Sequence, residues 1–405
     1  MRFDFFIANR LKADEGDFAQ SSNKNILFAK VGMTMAIMIM ILSISIVNGF
    51  KNEITEKIYS LEPHIKIKSY NYQSNPANIY TEIKSIESID GAVNVYAEKP
   101  IVIKTNNDFK GAYLRGVDNE YNWDYFAKIL KEGKLPNYND STETNSILIS
   151  QKIAENLNLK VGDKMLTYFI SENTKVRNYN ICSIYNSEFI DFDNNYVIGS
   201  IKQLESLNDP TLSQSTYIGI YCNNYDKINE SNCYIGEYFI NNGLSNYYII
   251  ENTLLANSSY FTWLNLLDVN ALVIIIIMMI VTSFTLISGM LMIVLKRVNM
   301  IGLLKALGTN NHTIRNIFIF LTNKLILSSM LLGNIIAISI ILIQQNFHIL
   351  QLDPESYYIS YVPVELNIKV LLLLNIGIVI VSYISLLLPS KIVAKISPVK
   401  ATRFE

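Results

Sequence analysis

Long apolar runs in this chain alternate with a stretch in which apolar and polar positions are finely mixed. Four runs approach or exceed the ~18 residues that a helix needs to cross a bilayer: Ile26–Val47, Ala271–Leu295, Leu325–Ile343 and Val370–Leu388. The second, ALVIIIIMMIVTSFTLISGMLMIVL, is apolar on every helical face, which marks it as a span and not the core helix of a soluble protein. Lys30 and Lys324 stand near the starts of the first and third runs, where a lysine stem can snorkel. Pro389 is expected to stop the fourth. The first run follows a polar segment and exceeds the usual signal-peptide core, so it reads as a permanent anchor.

The stretch between the first two runs has short periods and frequent turn residues. YTEIKSIESIDG places apolar residues at 83, 86 and 89 and predicts a helix stopped by Gly91. VNVYAEKPIVIKTNNDFKGAYLRGV predicts two or three strands turning at Asn106-Asn107. SILISQKIAENLNLKVGDKMLTYFI predicts strand, short helix, turn and strand. KVRNYNICSIYN and NNYVIGS predict further strands, and IKQLESLND a helix. The expected fold class is an α-helical membrane protein with four transmembrane helices (1 + 3) and a large α+β domain between the first and second.

Composition sharpens this. Half of the 405 residues are hydrophobic and 17% are charged, less than a wholly soluble protein carries. Net charge is −1, which gives no reason to expect a nucleic-acid partner. Charge placement orients the chain. The N-terminal segment carries Arg2, Arg10, Lys12 and Lys24. The loop after the second run carries Lys296, Arg297, Lys305 and Arg315 with no acid, and the tail carries Lys391, Lys395, Lys400 and Arg403. The loop after the third run holds Asp353, Glu355 and Glu365, with no base until Lys369. Both termini and the 296–316 loop are therefore expected in the cytoplasm, and the insert outside.

The expected layout is a cytoplasmic segment 1–25, spans at 26–49, 269–295, 317–343 and 368–388, and an outer domain 50–268. A cytoplasmic loop follows at 296–316, an outer loop at 344–367 and a cytoplasmic tail at 389–405. The insert shows no nucleophile–base set, no phosphate-binding loop and no H-E-x-x-H, so no catalytic site, cofactor or metal is expected. His64, after Pro63, reads as structural. Cys182, Cys222 and Cys233 contain no C-x-x-C; a Cys222–Cys233 pair and three free thiols both remain open.

Between the second and third runs lies MIGLLKALGTNN, too short and too polar to span. Met300, Ile301, Leu303, Leu304 and Leu307 make a wide stripe on a helix, with Asn299, Gly302 and Lys305 opposite. Gly308 suits a C′ stop and Thr309 an N-cap for the next helix. The whole stretch LISGMLMIVLKRVNMIGLLKALGTNNHTIRNIFIF resembles the cytoplasmic loop of ABC-transporter permeases of the MacB/FtsX type. So does the layout of one span, a large outer domain and three spans. FIANRL, ILSISIVNGFKNEITEKIYSLEPHIKI, RNYNICSIYNSEFIDFDNNYVIG, YFTWLNLLDVNALVIII and the ending LPSKIVAKISPVKATRFE resemble the lipoprotein-releasing LolC/LolE branch.

The resemblance implies a type VII ABC architecture in the bacterial inner membrane. Met300, Ile301, Gly302, Leu303, Leu304, Lys305, Leu307 and Gly308 would form a coupling helix that docks on a separate cytoplasmic ATPase, present in two copies, which would bind the ATP and Mg. A second permease copy or paralogue would pair with this chain. Lipoprotein would be drawn from the outer leaflet past Ile44, Val47, Asn48 and Phe50 on the first span and Trp263, Leu267 and Ile274 by the second, and passed to a periplasmic carrier. Many members carry an acid just before the IG of this loop; Asn299-Met300 stands there here. The hairpin matching the carrier hook has a tip of only Ser171 to Lys175, so a carrier would dock on another surface. Two alternatives are a MacB-like exporter of peptides or small toxic molecules and an FtsX-like regulator of a cell-wall hydrolase.

Overall fold

The computed structural model describes residues 19–70, 74–86, 89–105, 108–140, 142–170 and 174–394. The chain divides into two units. One comprises Asn52–Trp263 together with Gln351–Tyr361, and the other comprises the remainder.

Among the described residues four helices are long and apolar enough to cross a membrane, at Leu27–Leu61, Ser258–Lys296, Asn311–Phe347 and Ile368–Leu387, and most of their length lies in the helical unit. The first belongs to a helix running Ala19–Leu61 without a break at Asn48-Gly49, and the dividing line between the units falls inside it after Lys51. At 1.5 Å per residue these 43 residues reach about 65 Å, roughly twice a bilayer core. The fourth continues through Pro389 to Ala394 and does not stop there. Gly49 serves close approach: a Cβ there would meet the Pro363 carbonyl at 2.8 Å.

In lipid, apolar helices gain little by hiding apolar surface from each other, so close packing and hydrogen bonds must hold them. Gly333 lets the third helix approach the first; a Cβ would stand 2.9 Å from Ile37 Cγ2 and 3.1 Å from the Thr34 carbonyl. Ser329 Oγ donates to the Lys30 carbonyl (3.3 Å). Asn334 and Asn375 exchange side-chain amide bonds of 2.9 and 3.0 Å between the third and fourth helices.

Among its described residues the other unit is built on ten strands: β1 Ile65–Ser69, β2 Gly91–Lys104, β3 Phe109–Val117, β4 Leu130–Gly133, β5 Ser146–Ser150, β6 Lys164–Phe169, β7 Lys175–Tyr185, β8 Tyr196–Ser200, β9 Thr216–Cys222 and β10 Tyr248–Asn252. Pairings run β10-β1-β9-β2-β3-β8-β5-β7-β4, and β6 joins β7 back to β2. Six strands (β2, β3, β8, β5, β7, β6) thus close into a ring. Ile101, Leu114, Ile147, Met165, Ile181 and Val197 belong to its core. Closure removes sheet edges.

The long strand β2 is shared. Its Gly91–Ala97 part pairs with β9, and its Ile101–Lys104 part pairs with β6. Pro100, which has no N–H to give, falls in the gap between those two partners. The helix before β2 is shorter than its sequence period suggests, Tyr80–Lys84. Gly91 does not stop it. Gly91 begins β2, where a Cβ would stand 2.0 Å from the Tyr221 carbonyl. The remaining predicted segments of this unit form as expected: two strands spanning 91–117, strand-helix-turn-strand over 146–169, then β7, β8 and the helix Ile201–Glu205. Asn106-Asn107 lies outside the described residues.

Candidate functional site

The helix Val298–Ala306 is set off from its neighbours by local chemistry. Arg297, at φ −113 and ψ 21, separates it from the helix before. At its end Gly308 takes φ +84; its N–H donates to the Lys305 carbonyl (3.0 Å), and the Thr309 N–H donates to the Leu304 carbonyl (3.0 Å). This pair of bonds is the Schellman stop that glycine favours, because a side chain is strained at positive φ. The next helix has its N-cap at Asn310, one residue later than Thr309.

The wide apolar stripe divides into two faces. Ile301 and Leu304 are buried in a cluster with Ala29, Met290, Val294, Ile314 and Phe318, and Gly302 is buried with them instead of lying opposite the stripe. Leu303 is 59% exposed and Leu307 75% exposed. Asn299, Ala306 and Gly308 are exposed beside them, and Met300 and Lys305 are half-buried. The inner face anchors the helix to the spans. The outer face offers two leucines that none of the described residues of this unit covers. Ile301, Gly302 and Leu304 thus lie on the buried side of the helix.

At the other ends of the first two spans, Lys51 Nζ meets Asp268 Oδ2 at 2.5 Å. The contact brings the neighbourhood of Val47 and Phe50 to that of Leu267. The sequence alone does not single out this pair: Asp268 is a lone charge at the margin of an apolar run, but Lys51 opens a stretch that also holds Glu53, Glu56 and Lys57. Phe50 is buried, Val47 and Leu267 are half-buried and Ile274 is exposed. Ile44 and Asn48 turn elsewhere: they line a small cavity with Glu365, Asn367, Val370 and Leu374, at the start of the fourth span. Trp263 is half-buried and belongs to the strand-rich unit. A second groove, of about 240 Å³, runs between the second and fourth spans and is lined by Ile276, Met279, Ile280, Ser283, Phe284 and Val381. Its walls suit hydrocarbon.

In the strand-rich unit the buried cations Arg115, Lys99 and Lys57 are each ion-paired. Arg115 is 1% exposed and donates to Glu98 Oε1 (2.8 Å), Glu62 Oε1 (2.5 Å) and the Leu61 carbonyl (2.7 Å). The last bond caps the first long helix with a cation, which its dipole favours. Burial opposes ionisation of Glu98, but Arg115 and Lys66 outweigh it and hold the carboxyl below its usual range. Burial pushes Asp193 up to about 6, against the hydrogen bond from Ser187. His64 is buried as a neutral acceptor of the Cys222 N–H (2.7 Å), and burial lowers its pKa to about 4. All three cysteines are free thiols. The β6–β7 ladder runs up to Phe169–Lys175, and 171–173 at its tip lie outside the described residues.

Comparison with known proteins bears on both regions. Residues 27–228 match the MacB-like periplasmic core domain, and residues 272–398 match the FtsX-like permease C-terminal domain. Over 401 residues the chain is 24% identical to the lipoprotein-releasing system transmembrane protein LolC of Buchnera aphidicola subsp. Schizaphis graminum, covering 92% of each chain. Over 392 residues it is 20% identical to LolE of Haemophilus influenzae, again covering 92% of each. Among solved structures it is similar to the periplasmic region of MacB from Actinobacillus actinomycetemcomitans, at 13% identity and a TM-score of 0.34, covering 48% of this chain and 91% of that one.

Proposed function

The chain belongs to the MacB/FtsX-type permeases, and from that premise we propose that it is the transmembrane subunit of a lipoprotein-releasing ABC transporter in the bacterial inner membrane. Similarity to LolC and LolE proteins over 92% of the chain supports the transported class. The observation that carries the mechanism is the divided helix Val298–Ala306. Its inner face is locked to the spans through Ile301 and Leu304 while Leu303 and Leu307 stand free. A short helix of that kind suits a groove on a cytoplasmic ATPase. Because it joins the second and third spans, a push on it moves both.

Both termini then lie in the cytoplasm and the strand-rich unit in the periplasm. The substrate's acyl chains enter beside Val47 and Leu267, at the outer ends of the first two spans, where a second permease completes the doorway. An acyl chain gains about 0.8 kcal/mol per buried CH₂, but the bilayer offers nearly the same. The protein therefore needs little net affinity, and ATP hydrolysis in the partner supplies the work. A periplasmic carrier receives the lipoprotein.

The test separates the two faces of the short helix. Leu303→Asp or Leu307→Asp should abolish co-purification of the ATPase while leaving the permease's thermal unfolding unchanged. Leu304→Asp should destabilise the permease itself, because it buries an unpaired carboxylate. Unchanged ATPase capture by both outer-face variants would sink the docking assignment. A photo-crosslinker at Val47 should trap lipoprotein in cells, most of all when hydrolysis is blocked; trapping of soluble peptides in its place would favour an exporter.

A further inference from the structure

The connection between the third and fourth spans is divided against itself. Leu350 and Val362 group with the helices, while the eleven-residue segment between them, Gln351–Tyr361, groups with the strand-rich unit. The segment is closed on itself. Gln351 and Tyr361 form an antiparallel bridge, and the Leu352 N–H donates to the Ser360 carbonyl (3.0 Å). Asp353 caps the short helix Pro354–Tyr357, accepting from the Glu355 N–H (3.2 Å) and Ser356 Oγ (2.8 Å).

Several contacts hold this loop on the strand-rich unit, and its Ile359 is fully buried. The Tyr358 ring lies 5.2 Å from that of Phe189 and 5.9 Å from that of Tyr260. Lys57 Nζ donates to the Tyr358 carbonyl at 3.1 Å. Glu355, exposed, pairs with the half-buried Lys152. The same Lys57 ammonium meets Glu188 Oε2 at 2.7 Å; burial opposes ionisation of Glu188, but Lys57, together with hydrogen bonds from Ser360, outweighs it and holds the carboxyl below its usual range. Glu188 and Tyr358 both have left-handed backbone, at φ +59 and +60. Neither is a residue type that takes this conformation readily. One cation therefore secures two strained residues, one from each side of the contact. The outer pair, in water, adds little.

The base of the loop is built differently. Gln344, 4% exposed, donates from Nε2 to the carbonyls of Leu350 (3.1 Å) and Val362 (3.0 Å) and accepts from the Leu350 N–H (3.0 Å). It clasps the two ends together. Just beyond, the Glu365 N–H donates to the Ser45 carbonyl of the first long helix (3.0 Å). The base is thus fixed within the helical unit by buried, fully paired bonds. The head is seated by one buried side chain, Ile359, by bonds that run through two residues with left-handed backbone, and by a water-facing ion pair.

We propose that Gln351–Tyr361 is a releasable latch, seated on Lys57 and the Phe189–Tyr260 pair, through which the strand-rich unit loads or frees the third and fourth spans. Seated, it ties both spans to that unit through one rigid base. Released, it lets them move without it. The device works whichever molecule the permease carries.

Site-resolved hydrogen exchange on the full-length protein tests it. In the wild type, residues 351–361 should be protected at least tenfold over a free peptide, yet exchange at least a hundredfold faster than β3 and β8. Lys57→Met should raise exchange at least tenfold in 351–361 and around 186–189 while leaving β3 unchanged, and Lys57→Arg should restore most of the protection. If Lys57→Met loosens β3 as well, Tyr358→Ala decides: a rise confined to 351–361 supports the latch, and no rise overturns it. Exchange of 351–361 in step with β3 in the wild type would make the segment a fixed strut and end the proposal. So would an unchanged rate in Lys57→Met.

Discussion

The two units bury polar groups differently. The strand-rich unit buries whole ion pairs besides hydroxyls: Arg115 sits among Glu98, Glu62 and a helix carbonyl, and Lys99 pairs with Asp209 at 2.9 Å with both side chains under a tenth exposed. Among the described residues of the helical unit the buried polar groups are neutral: the Asn334–Asn375 amides, Gln344 on its two carbonyls, and hydroxyls returned to backbone carbonyls. The difference follows from the surroundings. A domain that folds from water can bring a hydrated ion inside if partners replace its hydration. A helix already in lipid has no water to exchange, so neutral groups that satisfy one another are favoured.

Removing a charge from the first unit should therefore cost far more than removing an amide from the second. Arg115→Met leaves Glu98 and Glu62 without their buried cation and the Leu61 carbonyl without its cap. We expect a loss of about 3–5 kcal/mol, read as a drop in the thermal midpoint of the full-length protein, with β3 and β8 losing exchange protection. A drop no larger than that of an exposed Lys84→Met control would break the comparison.

Titration sharpens it. Asp193, held near 6 against 3.8 when unfolded, is kept protonated by the fold, so its contribution to stability falls as pH rises from about 4 through 6. His64, held near 4 against 6.5, is kept neutral, so its contribution rises with pH over nearly the same window. The two slopes oppose each other. Asp193→Asn should make stability climb with pH between about 4 and 6 relative to the wild type, and His64→Gln should make it fall, each by about 1.4 kcal/mol per pH unit. Parallel pH profiles for the wild type and both variants would show that neither group is held as described.

Within the helical unit, Gly333→Val drives a side chain into Ile37 and the Thr34 carbonyl. Overpacking of this kind costs about 1–3 kcal/mol and should lower the detergent-resistant midpoint without altering exchange in the strand-rich unit. The smallest effect belongs to the amide pair. A double-mutant cycle of Asn334→Leu and Asn375→Leu should give a coupling of about 0.6 kcal/mol, and under about 2. A coupling as large as the Arg115 loss would erase the distinction between the units.

Much of this was legible in the chain. The four apolar runs, the strand-helix-turn-strand over 146–169 and the glycine stop at 308 rest on residues that are neighbours in sequence. So does the apolar phase of Ile314, Ile317 and Phe318, all of them buried. Where two local signals competed, reading slipped: Gly91 suits a helix stop as well as a strand start against Tyr221, and Pro389 suits a helix end as well as a proline carried inside one. Asn48-Gly49 resembled a span terminus because both are poor helix formers, yet tertiary contacts with Pro363 require a glycine there within an unbroken helix.

By itself, then, the sequence determined which segments are spans, which residues form strands, and where the short helix ends. Periodicity and capping act over a few residues and need no distant partner. Tertiary structure decided that β6 closes a ring onto β2, that Arg115 serves Glu62 and Glu98, and that Gln351–Tyr361 groups with the strand-rich unit. It also chose which leucines of 298–307 face outward. A helix apolar on most sides carries no phase that marks its buried face, and a charge does not name its partner. Both are settled only when distant segments meet and each buried group must find what replaces its water.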